Sequence, residues 1–428
     1  MRIRALILAA GALALAGCGT PAAGPAMAGT AEAASTTTSG TQSEAARVAE
    51  ARAEFRRWLD GVRQEAIAQG VSPATVDRAF ATIDYRPVVV ERDRSQPEFV
   101  RTFWDYVGRA VTDDRVRQGR ERYVEHRATL DRIEAAYGVP GNYVVAFWGL
   151  ESGFGRIQGD HPVIASIATR AFERRSDLFK AQLIDALHLL DAGIPESRLI
   201  GSWAGAMGMP QFMPAAYRQF AVDADGDGFA DIWNSPADTF ASIANYLAQN
   251  GWTEGERWGR QVRLPAGFDY AQADLDARRP LADWAALGVT LPDGRPLPVV
   301  PGMTASVLLP AGHEGPAYLV YDNFRSILRY NNATFYALSI GTMADAVAGA
   351  PVDIGSPPPG NRSLTSADVE EMQTLLAQLG YEPGPPDGIP GSRTKSAIRE
   401  FQARRGMPAD GHHSSTVLDA LRRAAGQG

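Results

Sequence analysis

The 428 residues include one cysteine, Cys18, so the chain makes no internal disulfide and must rely on a packed core. There is no basic surplus. Lys and Arg total 42 against 49 Asp and Glu, a formal net charge of -7, which argues against nucleic acid as the main partner. No apolar run is long enough for a permanent membrane span, which needs about 20 residues. Acidic side chains are also missing where they would be ordinary: FWGLESGFGRIQG, residues 147–159, carries only Glu151 among aromatic, small and apolar neighbours.

The length allows two or three domains and a sizeable core. At the N-terminus, Arg2 and Arg4 precede an apolar run ending in small residues, which reads as a secretory signal over 1–17. Leu15-Ala16-Gly17-Cys18 resembles the lipobox of bacterial lipoproteins, which implies cleavage before Cys18 and its lipidation. The alternative is a plain signal peptide with an incidental cysteine. Residues 18–48 are mostly Ala, Gly, Ser, Thr and Pro, too poor in bulky apolar groups to fold, and are expected to form a disordered tether.

The region 49–349 reads as one mainly helical domain. AEFRRWLDGVRQEAIAQG repeats apolar positions at helical spacing and stops at Gly70; Ser72-Pro73 then supplies an N-cap and first turn. Further helices are expected at 112–136, 141–151, 176–191 and 236–250. VRLP, ASVLLP and AYLVYDNF, between 261 and 325, read as strands of a small insertion. Helix returns at NATFYALSIGTMADAV. The Pro/Gly segment 350–362 is expected to be a linker, and 363–425 a compact module.

Glu151 falls at the end of an apolar helix. A carboxyl in such surroundings holds its proton more tightly and suits general-acid work. A helix-end Glu bonded to the Ser152 and Gly153 amides is the bland alternative. GSWAGAMGMPQFMPAAYRQFA, 201–221, is dense in small residues, Met and aromatics. Small residues let backbone approach a ligand, and Gln211 is a candidate oriented donor. A tight helix contact filled with Met would give the same composition.

Phe147 to Gly159, taken with 201–220, closely resembles the lytic murein transglycosylase B family, lysozyme-like enzymes that cleave peptidoglycan. Asp223–Asp231, Ala244-Asn245-Tyr246 and Arg329-Tyr330-Asn331 extend the similarity over about 50–350. The resemblance implies a lysozyme-like α+β catalytic domain in which Glu151 is the acid/base. It also implies that Ser202, Gln211, Tyr246, Tyr330 and Asn331 line the glycan cleft.

An ordinary glycosidase needs two carboxylates across the scissile bond, and nothing marks Asp160 or Glu173 as the second. The family's chemistry implies another route, in which the sugar's own C6 hydroxyl attacks C1 and leaves a 1,6-anhydromuramoyl end. A muramidase using water on the same fold, or a non-catalytic peptidoglycan-binding lipoprotein, stays open at this stage. No cofactor is expected for the chemistry.

Asp223, Asp225, Asp227, Gly228 and Asp231 match positions 1, 3, 5, 6 and 9 of an EF-hand loop, with the Phe229 carbonyl at position 7. Position 12 is Asn234 in place of a bidentate Glu, although Asp238 follows. A structural calcium ion or a bare Asp/Gly turn would both suit this pattern.

From Leu364 the chain resembles the peptidoglycan-binding domain-one family, a three-helix bundle. Gln373, Leu379-Gly380-Tyr381, Asp387-Gly388, Gly391, Thr394, Ala397-Ile398, Phe401-Gln402 and Asp410-Gly411 carry the likeness. Most of these are core and turn positions. The expected whole is a monomeric periplasmic protein, held by its lipid to the outer membrane, with glycan strands of peptidoglycan as its partner.

Overall fold

A computed structural model describes residues 34–94, 101–359 and 362–426. The signal segment, Cys18 and the first part of the expected tether lie outside the described residues. Among the described residues no helix is long and apolar enough to cross a membrane. The chain divides into two compact units: 101–150 with 243–426, and 34–94 with 151–242.

The second unit begins with a helix, Ala34–Ala68, so helix already occupies much of the stretch expected to be disordered up to residue 48. The Ser, Thr and Gly of 35–41 are weak helix formers, so the helix there extends from 46–68, whose apolar face (Phe55, Leu59, Val62 and Ala66 are buried) anchors it. Ser72 caps Pro73–Thr82 as expected, accepting from the Thr75 N–H, and its hydroxyl donates to Asp191 at 2.6 Å. The centre of this unit is the helix Val163–Arg174, buried from Val163 through Phe172. Arg170 on that helix is only 2% exposed. It donates to the Ala204 carbonyl at 3.1 Å and to Asp93 at 3.3 Å, while burial pulls its pKa down to about 10.

In the first unit the run expected as one helix over 112–136 is two, Asp113–Glu125 and Arg127–Tyr137. The break falls at His126, whose ring packs edge-on against Trp148 with centroids 5.6 Å apart. No Gly or Pro announces it. Four short strands form an antiparallel sheet, in spatial order Gly259–Val262, Ala317–Val320, Thr304–Leu308 and Arg279–Pro280. Its core holds Trp284, Val307, Leu319 and Tyr321. AYLVYDNF is only half strand, because helix begins at Asp322. The Glu256 carboxylate explains the switch: it accepts from the Asp322 and Asn323 N–H groups at 2.8 and 3.2 Å and so caps the new helix.

Three helices, Ser366–Gln378, Ser392–Arg404 and Ser415–Ala424, enclose a core of their own around Met372, Leu376, Ile398, Phe401 and Leu418. Gln373 ties the bundle's loop: its Nε2 donates to Asp387 and the Ile389 carbonyl, and its Oε1 accepts from Gly388. The segment before the bundle is not a free spacer. Trp104 Nε1 donates to the Ile354 carbonyl at 3.0 Å, Ser363 Oγ to Asp105 at 3.1 Å, and Lys395 of the bundle approaches Asp274 of the insertion at 3.6 Å.

Candidate active site

The helix Gly141–Ser152 ends in the two residues of greatest interest. Val144, Val145, Ala146, Phe147, Trp148 and Leu150 are all buried, which explains the helix's apolarity. Phe147 packs on Tyr330 with ring centroids 4.6 Å apart, and Tyr330 on Tyr246 at 4.8 Å. Glu151 is half-buried at the end of this helix, while Ser152 is fully buried and its Oγ accepts from the Gly155 N–H at 3.0 Å.

The chain then turns through three left-handed residues, Gly153, Phe154 and Gly155, with φ of 57°, 63° and 82°. Phe154 is the unusual one, because a bulky side chain rarely tolerates that backbone. Only two other non-glycine residues among those described share it, Arg175 and Gln211 (φ 52°). Two of the three therefore lie in the segments singled out from sequence. Each such residue costs about 1–3 kcal/mol and persists only where its surroundings over-determine it.

Segment 201–212 is a tight double turn. Ser202 N–H donates to the Ala206 carbonyl, the Ala206 N–H returns to Ser202 Oγ, and Met207 and Phe212 exchange backbone hydrogen bonds. The small residues serve backbone contact. A Cβ on Gly159 would sit 2.1 Å from the Gly201 carbonyl, and one on Gly201 2.0 Å from the Ala206 oxygen. Main chain approaches main chain here with no room for a side chain.

Gln211 is an oriented donor, with partners inside the protein. Its Nε2 donates to the Gln158 and Gly208 carbonyls at 3.2 and 2.9 Å, so both amide hydrogens are engaged within the protein. Two carbonyl partners fix the amide's orientation and direct its Oε1, an acceptor, away from them. Gln158, which sequence reasoning passed over, ties the same region: its Nε2 donates to the Gly155 and Trp233 carbonyls at 3.2 and 2.9 Å. Its position between Gly155 and Gly159 was the available signal.

The expected cleft residues fall in two groups, one in each unit. Glu151, Ser202 and Gln211 belong to one; Tyr246, Tyr330 and Asn331 belong to the other. The last three are buried, with 3%, 7% and 6% exposure. Tyr246 spends its hydroxyl on the Arg329 carbonyl at 2.6 Å. It therefore braces the Arg329-Tyr330-Asn331 turn, and burial raises its pKa.

In the acidic loop, Asp223, Asp225 and Asp227 are exposed and can bring one oxygen each within 4.8 Å of one another. Each also accepts backbone N–H groups of the loop; Asp223 takes those of Gly226 and Gly228 at 2.7 and 2.8 Å. Three all-oxygen donors on a glycine-turned loop fit a hard divalent cation such as calcium. Asp231 is not in that cluster. It accepts from Arg198 at 2.7 Å and from both nitrogens of Asn234. Burial alone would raise the Asp231 pKa, but Arg198 and Asn234 outweigh it and hold the carboxyl below its ordinary range. Asp238 is buried and pins the loop's two ends, accepting from Ala224 and Asp231 N–H at 2.9 and 2.8 Å. The Phe229 ring stacks on Trp233 at 6.2 Å, joining the loop to the segment that Gln158 holds.

Comparison with known proteins places these features in context. A family described as transglycosylase SLT domain matches residues 54–345, and one described as putative peptidoglycan binding domain matches 365–421. Membrane-bound lytic murein transglycosylase B of Escherichia coli is 33% identical over 252 residues, 57% of this chain; the match spans 66% of that protein, just under two thirds. SltB3 of Pseudomonas aeruginosa, solved with NAG-anhNAM-pentapeptide, is 48% identical, with a TM-score of 0.81 over 86% of this chain and 99% of that one. The Escherichia coli lytic transglycosylase Slt35, solved in complex with calcium, is 28% identical, with a TM-score of 0.59 over 68% of this chain and 92% of that one.

Proposed function

This chain belongs to the transglycosylase SLT domain family, and we propose that it is a lytic transglycosylase of peptidoglycan in which Glu151 is both acid and base. Glu151 donates its proton to the glycosidic oxygen between MurNAc and GlcNAc, and the C1–O bond breaks. The N-acetyl carbonyl of the muramoyl sugar stabilises the cation left at C1. The Glu151 carboxylate then takes the proton of the C6 hydroxyl as that oxygen bonds to C1, closing a 1,6-anhydro ring and restoring the acid. An attacker within the same sugar has a high effective concentration and outcompetes water.

The observation that carries this reading is the half-buried Glu151 at the end of an apolar helix, followed by the strained Gly153-Phe154-Gly155 turn. Neither sequence-near acid offers itself as a partner carboxylate. The Asp160 side chain is 93% exposed, and Glu173 accepts from the Tyr85 hydroxyl at 2.6 Å. The anhydro sugar bound to the 48% identical relative supports the same product class. Mass spectrometry of material released from purified sacculi tests it, with 1,6-anhydromuramoyl ends expected. Reducing muramoyl ends would instead assign a water-using muramidase, and no release a binding protein.

The acidic loop is read as a structural calcium site, with Asp223, Asp225 and Asp227 as ligands and no part in the chemistry. The C-terminal bundle holds peptidoglycan strands. Cys18 anchors a periplasmic, monomeric protein to the outer membrane through its lipid. Cys18→Ser is expected to move the protein from the membrane fraction to the soluble one without loss of activity; unchanged fractionation would refute the anchor.

A further inference from the structure

We propose that Gln158 is a positioning residue for Glu151, and that its carboxamide holds the strained turn behind the catalytic carboxyl in its working shape. The inference rests on the reading of Glu151 as the acid. Gln158 stands where three loops meet. Its Nε2 hydrogens go to Gly155, at the end of the left-handed turn, and to Trp233, in the segment after the acidic loop. Its backbone carbonyl accepts from Gln211 Nε2 at 3.2 Å, and Gln211 sends its other hydrogen to the Gly208 carbonyl. Every hydrogen of the two carboxamides is thus committed to a carbonyl, and no water or substrate is needed to complete the set.

The reason for such a tie lies in the backbone. Phe154 and Gln211 both hold left-handed conformations that a free loop would leave. Gln158 fastens the end of the first turn, and Gln211 fastens itself to Gln158. Remove the carboxamide, and the turn keeps the Ser152 hydroxyl but loses the tie that fastens Gly155 to the Trp233 segment, so its left-handed residues are held less tightly. The helix end would then carry Glu151 away from the position in which it reaches the glycosidic oxygen. Gln158 touches neither substrate nor reacting atoms in this account. It acts through the turn.

Gln158→Glu keeps size and shape but replaces the two N–H donors with an anion facing two carbonyl oxygens. Gln158→Met keeps length and removes all polarity. Both are compared with wild type and with Glu151→Gln on soluble muropeptide oligomers, and melting temperature reports folding. Expected is a kcat lower by about a hundredfold, the loss that a misplacement of about 1 Å can cause, with KM changed less than about threefold. In Gln158→Glu, turnover relative to wild type should rise again as the pH falls, because a protonated carboxyl can donate to one of the two carbonyls. Gln158→Met has no such group and stays flat. Should either variant be too unstable to purify, Gln158→Asn, whose shorter arm reaches one carbonyl, is expected to give an intermediate kcat. A kcat within twofold of wild type in the Gln158 variants, beside an inactive Glu151→Gln, would overturn the positioning role and leave the acid in place. A loss confined to KM, or one with no acid recovery in Gln158→Glu, would overturn it too. Normal turnover by Glu151→Gln would instead remove the acid on which the inference rests.

Discussion

Asp410 of the C-terminal bundle accepts two hydrogen bonds from His313 of the strand-rich insertion, from the backbone N–H at 2.8 Å and from ring Nδ1 at 2.7 Å. The same carboxylate accepts from Gln402 Nε2 and the His412 N–H, each at 2.8 Å. The Asp410 hydrogen bond raises the His313 pKa, against a smaller lowering by burial, with Glu314 helping. Burial would push the Asp410 carboxyl up, but His313, the backbone amides and Gln402 outweigh it and hold it well below the carboxylate range.

The signs fix a pH window for this contact. A raised histidine stabilises fully below its unfolded pKa and loses that contribution as pH climbs through the folded value. A lowered carboxyl contributes above its unfolded pKa and loses that as pH falls through the folded one. The contact should therefore be strongest between about pH 4 and about pH 6.5, the ordinary values of the two groups. Hydrogen exchange at 311–314 and 410–413, followed against pH in the intact chain, should show greatest protection there. His313→Gln should flatten the profile, and an identical profile in that variant would show that the pair does not govern docking.

Glu151→Gln keeps the shape of the side chain and removes the transferable proton. Activity on sacculi should fall by at least about a hundredfold, the scale of a lost general acid, while sacculus binding and melting temperature hold. Binding lost together with activity would point to a structural effect instead.

Millimolar calcium should raise the melting temperature of the wild type, since a ligand at a hundredfold excess over its dissociation constant stabilises by about 2.7 kcal/mol. Asp223→Ala with Asp227→Ala removes two exposed carboxylates and should abolish the rise. Asp231→Ala is a contrasting control: it breaks the Arg198 pair and should lower stability while leaving a calcium response. A wild type indifferent to calcium would mean that the three carboxylates are a solvated turn.

The sequence was most readable where side-chain chemistry repeats a local rule. The Ser72 cap and the apolar helix ending at Glu151 followed from composition and spacing, and the bundle core around Ile398 and Phe401 from the family resemblance. It was less readable where a distant partner decides. The helix breaks at His126, whose ring meets Trp148, 22 residues on, and the last strand ends early where Glu256 caps a helix that starts at Asp322. Gln211 reads from sequence as a candidate donor to a ligand, yet only its partners at Gln158 and Gly208 show that its amide hydrogens are committed within the protein. Asp231 fitted the spacing of a calcium loop and was claimed by Arg198, which lies 33 residues earlier. Spacing along the chain cannot reveal such competition.

The seam in which Gly159 meets Gly201, and Gly201 meets the Ala206 carbonyl, is built from main chain alone. Such a seam offers selection no dial. Any side chain there collides with backbone, so drift at these two positions ends in loss of the fold rather than in a changed preference. Diversification must therefore work at the margin of the same loop, where Arg156 and Ile157 stand open to solvent and can be exchanged without touching the seam. A library randomised at those two positions should yield folded proteins, whereas one randomised at Gly159 and Gly201 should return glycine almost every time.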